Sequence, residues 1–134
     1  MKYLTLLFLF VMILTNSCND AKVSKKLKEP ATITDIKFDK KVINLGDATN
    51  DTLLTAKYKF YNTGNSPLII EYVNPDCICT KYEISKDTVL PNDSAFIKLY
   101  LDTHDKYGEV KLYSTVCANT KTKFYKLTMN VNIN

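Results

Sequence analysis

The sequence predicts an all-β domain, and three observations support this prediction. No segment after residue 30 has sustained helical periodicity, whereas apolar and polar residues alternate with period two in several segments. Clusters of Asn, Asp, Gly and Pro separate these segments, as is typical of turns. The segments are short and recur at regular spacing. Together these features predict an immunoglobulin-like antiparallel β-sandwich of seven to eight strands.

The first four predicted strands are assigned from this alternation. It is clearest in the third, where Ala56, Tyr58 and Phe60 alternate with polar or amphipathic neighbours, so that one face is buried and the other is wet. The turn at 62–67 ends that strand, and the apolar run that begins at Leu68 starts the next. These strands are predicted at 32–38, 42–45, 53–61 and 68–75.

The last four predicted strands follow the same rule. The turn at 90–94 separates the first two of them. Polar loops at 102–108 and 118–122 follow the second and the third. From Tyr125 to Asn134 five apolar or aromatic residues alternate with five polar ones. These strands are predicted at 80–89, 95–101, 109–116 and 124–133.

A signal for export precedes the domain. Lys2 is followed by an apolar run of about eleven residues, which is too short to span a bilayer, since spanning takes roughly 20. Ser17-Cys18 then resembles the lipobox of bacterial lipoproteins. The resemblance implies that Cys18 becomes the lipid-modified N-terminus; the alternative is an ordinary signal peptide with an incidental cysteine. We therefore predict a signal peptide at 1–17, a lysine-rich tether at 18–31 and one domain at 32–134.

The charge distribution bears on partners. All 18 basic residues are lysine, and four of them, Lys22, Lys25, Lys26 and Lys28, lie in the tether. From residue 30 onward the chain has 13 lysines and 12 acidic residues, so the domain is nearly neutral. A nucleic-acid partner is not expected, because such proteins carry basic surface stripes, usually with arginine. The tether lysines either contact anionic headgroups or form a solvated spacer.

The order of several short motifs in this chain resembles that of a known family. Asn62-Thr63-Gly64, then Pro67-Leu68, then Cys77-Ile78-Cys79-Thr80, follow one another at this spacing. The series resembles the bacterial envelope family catalogued as domain of unknown function 1573, whose members are similar to the Ig-like domains of the ASPM–SPD-2–Hydin group. The resemblance implies an Ig-like fold and a cell-envelope location, but no reaction. Ile78 stands where the family has glycine, so we expect a more extended chain there.

The mature chain has three further cysteines, Cys77, Cys79 and Cys117. In an extended strand the Cα atoms of Cys77 and Cys79 would lie about 6.6 Å apart. A disulfide between them would therefore need a local kink in the chain. Three interpretations stay open: small packed free thiols, favoured here; a labile redox pair; and a two-thiolate site for Cu(I). No bridge from Cys117 to either is expected.

No catalytic residues can be assigned from the sequence. The single histidine, His104, has no plausible nucleophile placed with it and is expected to be a solvated loop residue. Sequence signatures of serine hydrolases, zinc proteases and phosphate-binding loops are missing. We therefore predict no enzyme activity, no cofactor, no confidently assigned metal and no identified small-molecule substrate.

Three sites resemble the O-glycosylation acceptor of exported proteins in some Gram-negative bacteria, in which Asp precedes Ser or Thr and a small or aliphatic residue. The candidate acceptors are Thr52, Thr88 and Ser94. Chance is the alternative, because Asp and Thr are common in turns.

The main functional hypothesis is a lipid-anchored, non-enzymatic module of the cell envelope that binds another envelope protein. The outer membrane is the favoured location, with the domain in the periplasm or on the cell surface. Exposed edge strands and outward tyrosines, including Tyr61, Tyr100 and Tyr113, are the candidate contact surfaces. The alternatives are a thiol protein that uses Cys77 and Cys79 for Cu(I) binding or disulfide exchange, and a sugar-binding module supported only by the tyrosines.

Overall fold

The computed structural model describes residues 32–134. The predicted signal peptide, Cys18 and the tether therefore lie outside the described residues. No helix long and apolar enough to cross a membrane occurs within this part of the chain. Nine strands form the domain: β1 Ile36–Phe38, β2 Val42–Ala48, β3 Leu53–Asn62, β4 Leu68–Pro75, β5 Thr80–Ile84, β6 Thr88–Val89, β7 Ser94–Asp102, β8 Gly108–Ala118 and β9 Phe124–Ile133.

The strands form two sheets packed face to face. The four-stranded sheet has the order β1-β3-β7-β5, and the five-stranded sheet has the order β2-β9-β8-β4-β6. All pairs are antiparallel except β2 with β9, which run parallel. The prediction of an Ig-like β-sandwich is confirmed, with nine strands and one parallel pair in place of seven or eight antiparallel strands.

The core lies between the sheets and is built from the period-two residues of both. Tyr58 and Phe60 on β3, Leu99 on β7, and Leu127 and Met129 on β9 are almost completely buried. Burying a large apolar side chain contributes roughly 1.5–3 kcal/mol. A one-residue slip of any of these strands would expose its apolar face, so the core also fixes the register.

Three predicted strands differ from the structure by three residues or more. The first begins at Ile36 instead of 32, and the second continues to Ala48, beyond its predicted end at 45. The strand predicted at 80–89 is two strands, because the chain leaves the four-stranded sheet after Ile84 and joins the other sheet at Thr88. Val89 and Ile84 both reach the core from these different sheets. The segment 49–52 links β2 to β3 and therefore crosses between the two sheets.

The two ends of the sandwich carry different features. At the end where the described chain begins, Thr34 donates its N–H to the Asn119 carbonyl (3.0 Å), which holds the first residues in place. At the disulfide end, Asp102 donates its N–H to the Cys79 carbonyl (3.2 Å). Strand β7 runs from the first end to the second, a distance of about 27 Å. The described chain therefore begins at the end of the sandwich opposite the Cys77–Cys79 turn.

Candidate functional site

The Cys77-Ile78-Cys79 segment forms a tight turn between β4 and β5. Thr80 donates its N–H to the Cys77 carbonyl (3.0 Å), which closes a four-residue β-turn. Cys79 also donates its N–H to the Cys77 sulfur (3.2 Å). The side chain of Ile78 is fully exposed at the tip. The turn places an apolar side chain at the surface of the disulfide end.

Cys77 and Cys79 are joined by a disulfide, with their Cα atoms 5.1 Å apart. The favoured expectation of two free packed thiols is therefore wrong for this state. The local kink that a bridge requires is the β-turn, which shortens the Cα separation from about 6.6 Å in a strand. The expectation of a more extended chain at Ile78 is also wrong, because Ile78 does not need the positive φ that only glycine adopts easily.

Cys117 is a free, buried thiol far along the sheet from the disulfide. It lies opposite Tyr72 on β4, and no bridge joins it to Cys77 or Cys79, as expected. Its sulfur donates to the Glu71 carboxylate at 3.3 Å. Burial, together with this carboxylate, raises the pKa of the Cys117 thiol. Since the thiolate is the reactive form, Cys117 is poorly suited to redox or metal chemistry.

No cluster of three or more His, Cys, Asp or Glu among residues 32–134 is arranged to hold a metal ion. A Cu(I) site at Cys77 and Cys79 would need both thiolates, which the disulfide removes. The Cu(I) interpretation therefore has no structural support in the oxidised state.

His104 is exposed at the disulfide end and bonded to two acidic side chains. Its Nδ1 lies 2.6 Å from Asp51, and its Nε2 lies 3.2 Å from Asp105. The hydrogen bond that the imidazole donates to Asp51, together with the charges of both carboxylates, raises the pKa of His104. No Ser, Thr or Cys side chain is bonded to this imidazole in the described part of the chain. The arrangement links two loops and does not resemble a nucleophile–base pair.

The Asn62-Thr63-Gly64 motif has a structural role. The Asn62 side chain is buried, and its Oδ1 accepts from the Thr34 hydroxyl (3.1 Å) and from the Gly64 N–H (3.0 Å). Its Nδ2 donates to the carbonyls of Ser66 and Val89. One amide therefore ties together the start of the domain, the turn after β3 and the strand β6. The Asn62 side chain therefore has a structural role in the fold.

The three candidate glycosylation acceptors differ in accessibility. The Thr52 hydroxyl donates to the Thr49 carbonyl (2.8 Å) and lies 3.3 Å from the Thr103 hydroxyl, so it is part of a loop network. Ser94 is half-buried at the start of β7, whereas Thr88 is exposed. Thr88 is therefore the most accessible of the three acceptors. Whether any of them is glycosylated stays a prediction.

The outward tyrosines do not form one patch. Tyr61 and Tyr100 lie on the outer face of the four-stranded sheet, whereas Tyr113 lies on the outer face of the five-stranded sheet. The Tyr100 hydroxyl donates to Glu83 (2.5 Å). Lys126 lies 3.9 Å from the centre of the Tyr113 ring. Any contact surface built from these tyrosines must therefore be one of two separate faces.

The edge strand β5 presents backbone groups to solvent. Ser85 donates its N–H to the Phe96 carbonyl (3.0 Å), and the register places Tyr82 opposite Leu99 on β7. In an antiparallel ladder hydrogen-bonded pairs alternate with non-bonded pairs. Tyr82 and Ile84 belong to the non-bonded pairs, so their N–H and C=O groups point away from β7. This exposed edge was hidden in the sequence because 80–89 was predicted as one strand.

A shallow polar groove lies on the outer face of the five-stranded sheet. It has a volume of about 410 Å³, and β2, β8 and β9 line it. Side-chain amides bridge its floor, since Asn130 donates to Asn44 (2.7 Å) and Asn132 donates to Asp47 (2.8 Å). The groove lining contains no cysteine, histidine or hydroxyl nucleophile.

The sequence profile described as "Protein of unknown function (DUF1573)" matches residues 36–133, which is most of the chain and nearly all of the described domain. The chain belongs to the DUF1573 family. The resemblance noted from the sequence motifs is thereby confirmed. No curated protein matches the sequence significantly.

Solved structures similar to this DUF1573 domain share its fold at low sequence identity. A protein of unknown function from Porphyromonas gingivalis W83 has a TM-score of 0.68 at 11% identity, covering 81% of this chain and 50% of its own. The ASH/PapD-like domain of human CEP192 has a TM-score of 0.55 at 8% identity, covering 88% of this chain and 96% of its own. The YadV chaperone has a TM-score of 0.52 at 13% identity, and the match covers 75% of this chain and 53% of the chaperone. This chain thus spans about half the length of the first of these structures. These likenesses establish an Ig-like, PapD-like fold.

Proposed function

We propose that the protein is a lipid-anchored, non-enzymatic module of the bacterial cell envelope that binds another envelope protein by adding one of its strands to β5. The observation that carries this proposal is the open edge of β5, where the backbone groups of Tyr82 and Ile84 point away from the sheet. Edge strands with free backbone groups accept partner strands in β-augmentation.

The other sheet edges are less suited to strand addition. β1 has three residues and β6 has two, whereas β5 has five. β2 has seven residues, but its register with β9 shifts between Asn44 and Asp47, around Gly46 at φ 74°. Bulges and very short strands are common ways of blocking an edge.

Exposed apolar side chains lie beside the β5 edge. The side chain of Tyr82 is 46% exposed on β5 itself, and Ile78 is fully exposed in the turn that precedes it. An added strand would gain both main-chain hydrogen bonds and apolar contact at these positions. The disulfide between Cys77 and Cys79 fixes the turn that leads into this edge.

The anchor is proposed from Ser17-Cys18 and the apolar run before it. Two or more acyl chains give stable membrane attachment, each buried CH₂ contributing about 0.8 kcal/mol. The tether would enter the domain at Thr34, opposite the Cys77–Cys79 turn, which leaves the β5 edge free along the side of the sandwich. The mass of the mature protein tests whether Cys18 is acylated. Membrane fractionation of Cys18→Ser tests whether attachment depends on this residue, and the variant protein is expected to leave the membrane fraction.

The partner is tested by capture from detergent-solubilised envelopes with two variants of one residue. In Tyr82→Pro the outward N–H is replaced by a ring, and the hydrogen bonds to β7 stay because residue 82 does not make them. In Tyr82→Ala the N–H stays and the side chain is lost. We expect Tyr82→Pro to lose the captured protein and Tyr82→Ala to retain part of it. Equal recovery by Tyr82→Pro and wild type would refute strand addition.

A second candidate function is disulfide exchange through Cys77 and Cys79. The bond between these residues and its position in a surface turn favour it over Cu(I) binding. Incubation with a dithiol, followed by mass spectrometry of the alkylated Cys77–Cys79 peptide, tests exchange. Persistence of the intact bond under conditions that reduce small-molecule disulfides would exclude it.

A further inference from the structure

The outer face of the four-stranded sheet collects positive charge that the whole-domain balance conceals. The strand pairing places five lysines on this one face, here called the lysine face. Its acidic side chains are Glu83, Asp102 at the border, and Asp39, which follows β1 and lines a groove with Lys37 and Tyr61. The five residues are Lys37 on β1, Lys57 and Lys59 on β3, Lys81 on β5 and Lys98 on β7.

Two of these lysines are placed against each other. Lys57 and Lys98 are directly opposite in the β3–β7 register. Like charges in opposed cross-strand positions destabilise a sheet. Glu83 offsets this only in part, because it pairs with Lys98 (3.6 Å) while accepting the Tyr100 hydroxyl. Lys57 has no ion pair among the described residues.

The opposite side of the sandwich has no such excess. The strands of the five-stranded sheet carry two outward lysines, Lys111 and Lys126, with three acidic residues, Asp47, Glu71 and Glu109, on the same sheet. The charge of the domain is therefore divided between its faces. A uniform solvating surface does not account for the concentration of lysines on one sheet.

Aromatic rings are interleaved with the lysines. The ammonium group of Lys57 lies 4.2 Å from the centre of the Phe96 ring, and that of Lys98 lies 5.2 Å from it. Lys59 lies 4.9 Å from the centre of the Tyr61 ring. The face thus combines cations with flat apolar surface along a line that crosses all four strands.

We propose that the lysine face binds an acidic polysaccharide. The ammonium groups would contact carboxylate, sulfate or phosphate substituents of the sugars, and the ring of Tyr100 would contact the apolar face of a pyranose unit. A polymer that lies across the strands would neutralise the opposed Lys57 and Lys98 together. The face is separate from the backbone edge used in the proposed function.

Other acidic partners fit the face less well. Protein interfaces are depleted in lysine, and the largest exposed apolar side chains, such as Ile78 and Tyr107, lie off this face. Nucleic-acid binding by stacking needs open ring faces. The Phe96 ring is covered by ammonium groups, and the chain has no arginine. An acidic glycan needs neither an apolar anchor nor base stacking.

The experiment measures binding of the full-length protein, in neutral detergent, to polygalacturonate and to uncharged dextran. The paired variants are Lys57→Gln with Lys98→Gln, and as control Lys111→Gln with Lys126→Gln on the other sheet. Because one lysine near an anionic surface contributes about fivefold in affinity, the first pair is expected to weaken binding about 25-fold. The control pair is expected to change it less than about twofold.

A thermal melt separates loss of binding from loss of folding. Relief of the like-charge pair is expected to leave Lys57→Gln at least as stable as wild type while its affinity for polygalacturonate falls. The proposal is overturned by any of three results. The first is that polygalacturonate does not bind in a salt-dependent way. The second is that both variant pairs lose the same amount of affinity for it. The third is that polyglutamate or oligo-dT of matched charge binds as tightly as polygalacturonate or more tightly.

Discussion

The hydroxyl of Tyr58 on β3 donates a 2.8 Å hydrogen bond to the backbone carbonyl of Thr128 on β9. This bond joins the two sheets through the core, and the Tyr58 side chain is completely buried. Burial raises the pKa of the Tyr58 phenol, so the hydroxyl stays protonated and remains a donor.

Replacing Tyr58 with Phe should therefore destabilise the domain without disturbing its packing. Loss of one buried hydrogen bond costs about 1–2 kcal/mol of the free energy of unfolding. Urea unfolding measures this change. Tyr61→Phe is the matched control, because the Tyr61 ring lies on the outer face, and it should leave the unfolding free energy nearly unchanged. Equal effects of the two variants would contradict a bond between the sheets.

Gly64 is required for close packing. A Cβ at this position would lie 2.2 Å from the Thr34 hydroxyl oxygen and 2.6 Å from the Asp35 nitrogen. Gly64→Ala should cost about 3 kcal/mol through this overlap. It should also accelerate hydrogen exchange of the Thr34 and Thr63 amides, whose bonds hold the start of the domain.

Gly108→Ala is the comparison for Gly64→Ala. At Gly108 φ is +77° and a Cβ would meet no atom within 4 Å, so only backbone strain of about 1–2 kcal/mol is expected. Exchange at Thr34 should then follow global stability alone. A selective increase at Thr34 in Gly108→Ala would argue against the packing explanation.

The His104 contacts predict a pH-dependent contribution to stability. Because the pKa of His104 is raised in the folded state above 6.5, its stabilisation is fully present below that value. It is lost as the pH rises through the higher folded pKa. Melting temperatures of wild type and His104→Gln should therefore converge as the pH rises above about 6.5.

The imidazole titration provides the direct check on His104. Its NMR midpoint should lie above 6.5 and should fall on Asp51→Asn, since the Asp51 contact is the largest cause of the shift. A midpoint at or below 6.5 would show that the bridge to Asp51 does not form in solution.

The Cys77–Cys79 disulfide should contribute little to global stability. It closes a loop with one intervening residue, and the loop-entropy relation gives less than about 2 kcal/mol for such a short loop. The double variant Cys77→Ser with Cys79→Ser should therefore unfold cooperatively with a small loss. Alkylation of Cys117, followed by mass spectrometry, should be slow until unfolding in both proteins. A decrease of several kcal/mol in the free energy of unfolding would mean that the disulfide stabilises more of the domain than the turn it closes.

Sequence alternation predicts local elements well and their partners poorly. The last strand was predicted at 124–133 and is found there, because apolar and polar residues alternate without interruption from Tyr125 onward. The break after Ile84 was missed, since Ser85–Asp87 contains neither Gly nor Pro and both flanking strands bury apolar residues. The turn predicted at 62–67 does lie between β3 and β4, although Asn62 is the last residue of β3.

The surfaces depend on register, which one sequence does not contain. Lys57 and Lys98 are 41 positions apart and meet only because β3 pairs with β7. The role of the Asn62 amide likewise needs Thr34 and Val89 beside it. Counting charges therefore indicated a nearly neutral domain and did not reveal the lysine face.

Site-specific photocrosslinking in intact cells tests the central claim most directly. A photoreactive residue replaces Tyr82 on the β5 edge or, as control, Tyr113 on the outer face of the other sheet. Strand addition at β5 predicts one discrete crosslinked envelope protein from position 82 and none from position 113. Crosslinks of equal yield from both positions, or none from position 82, would contradict the account.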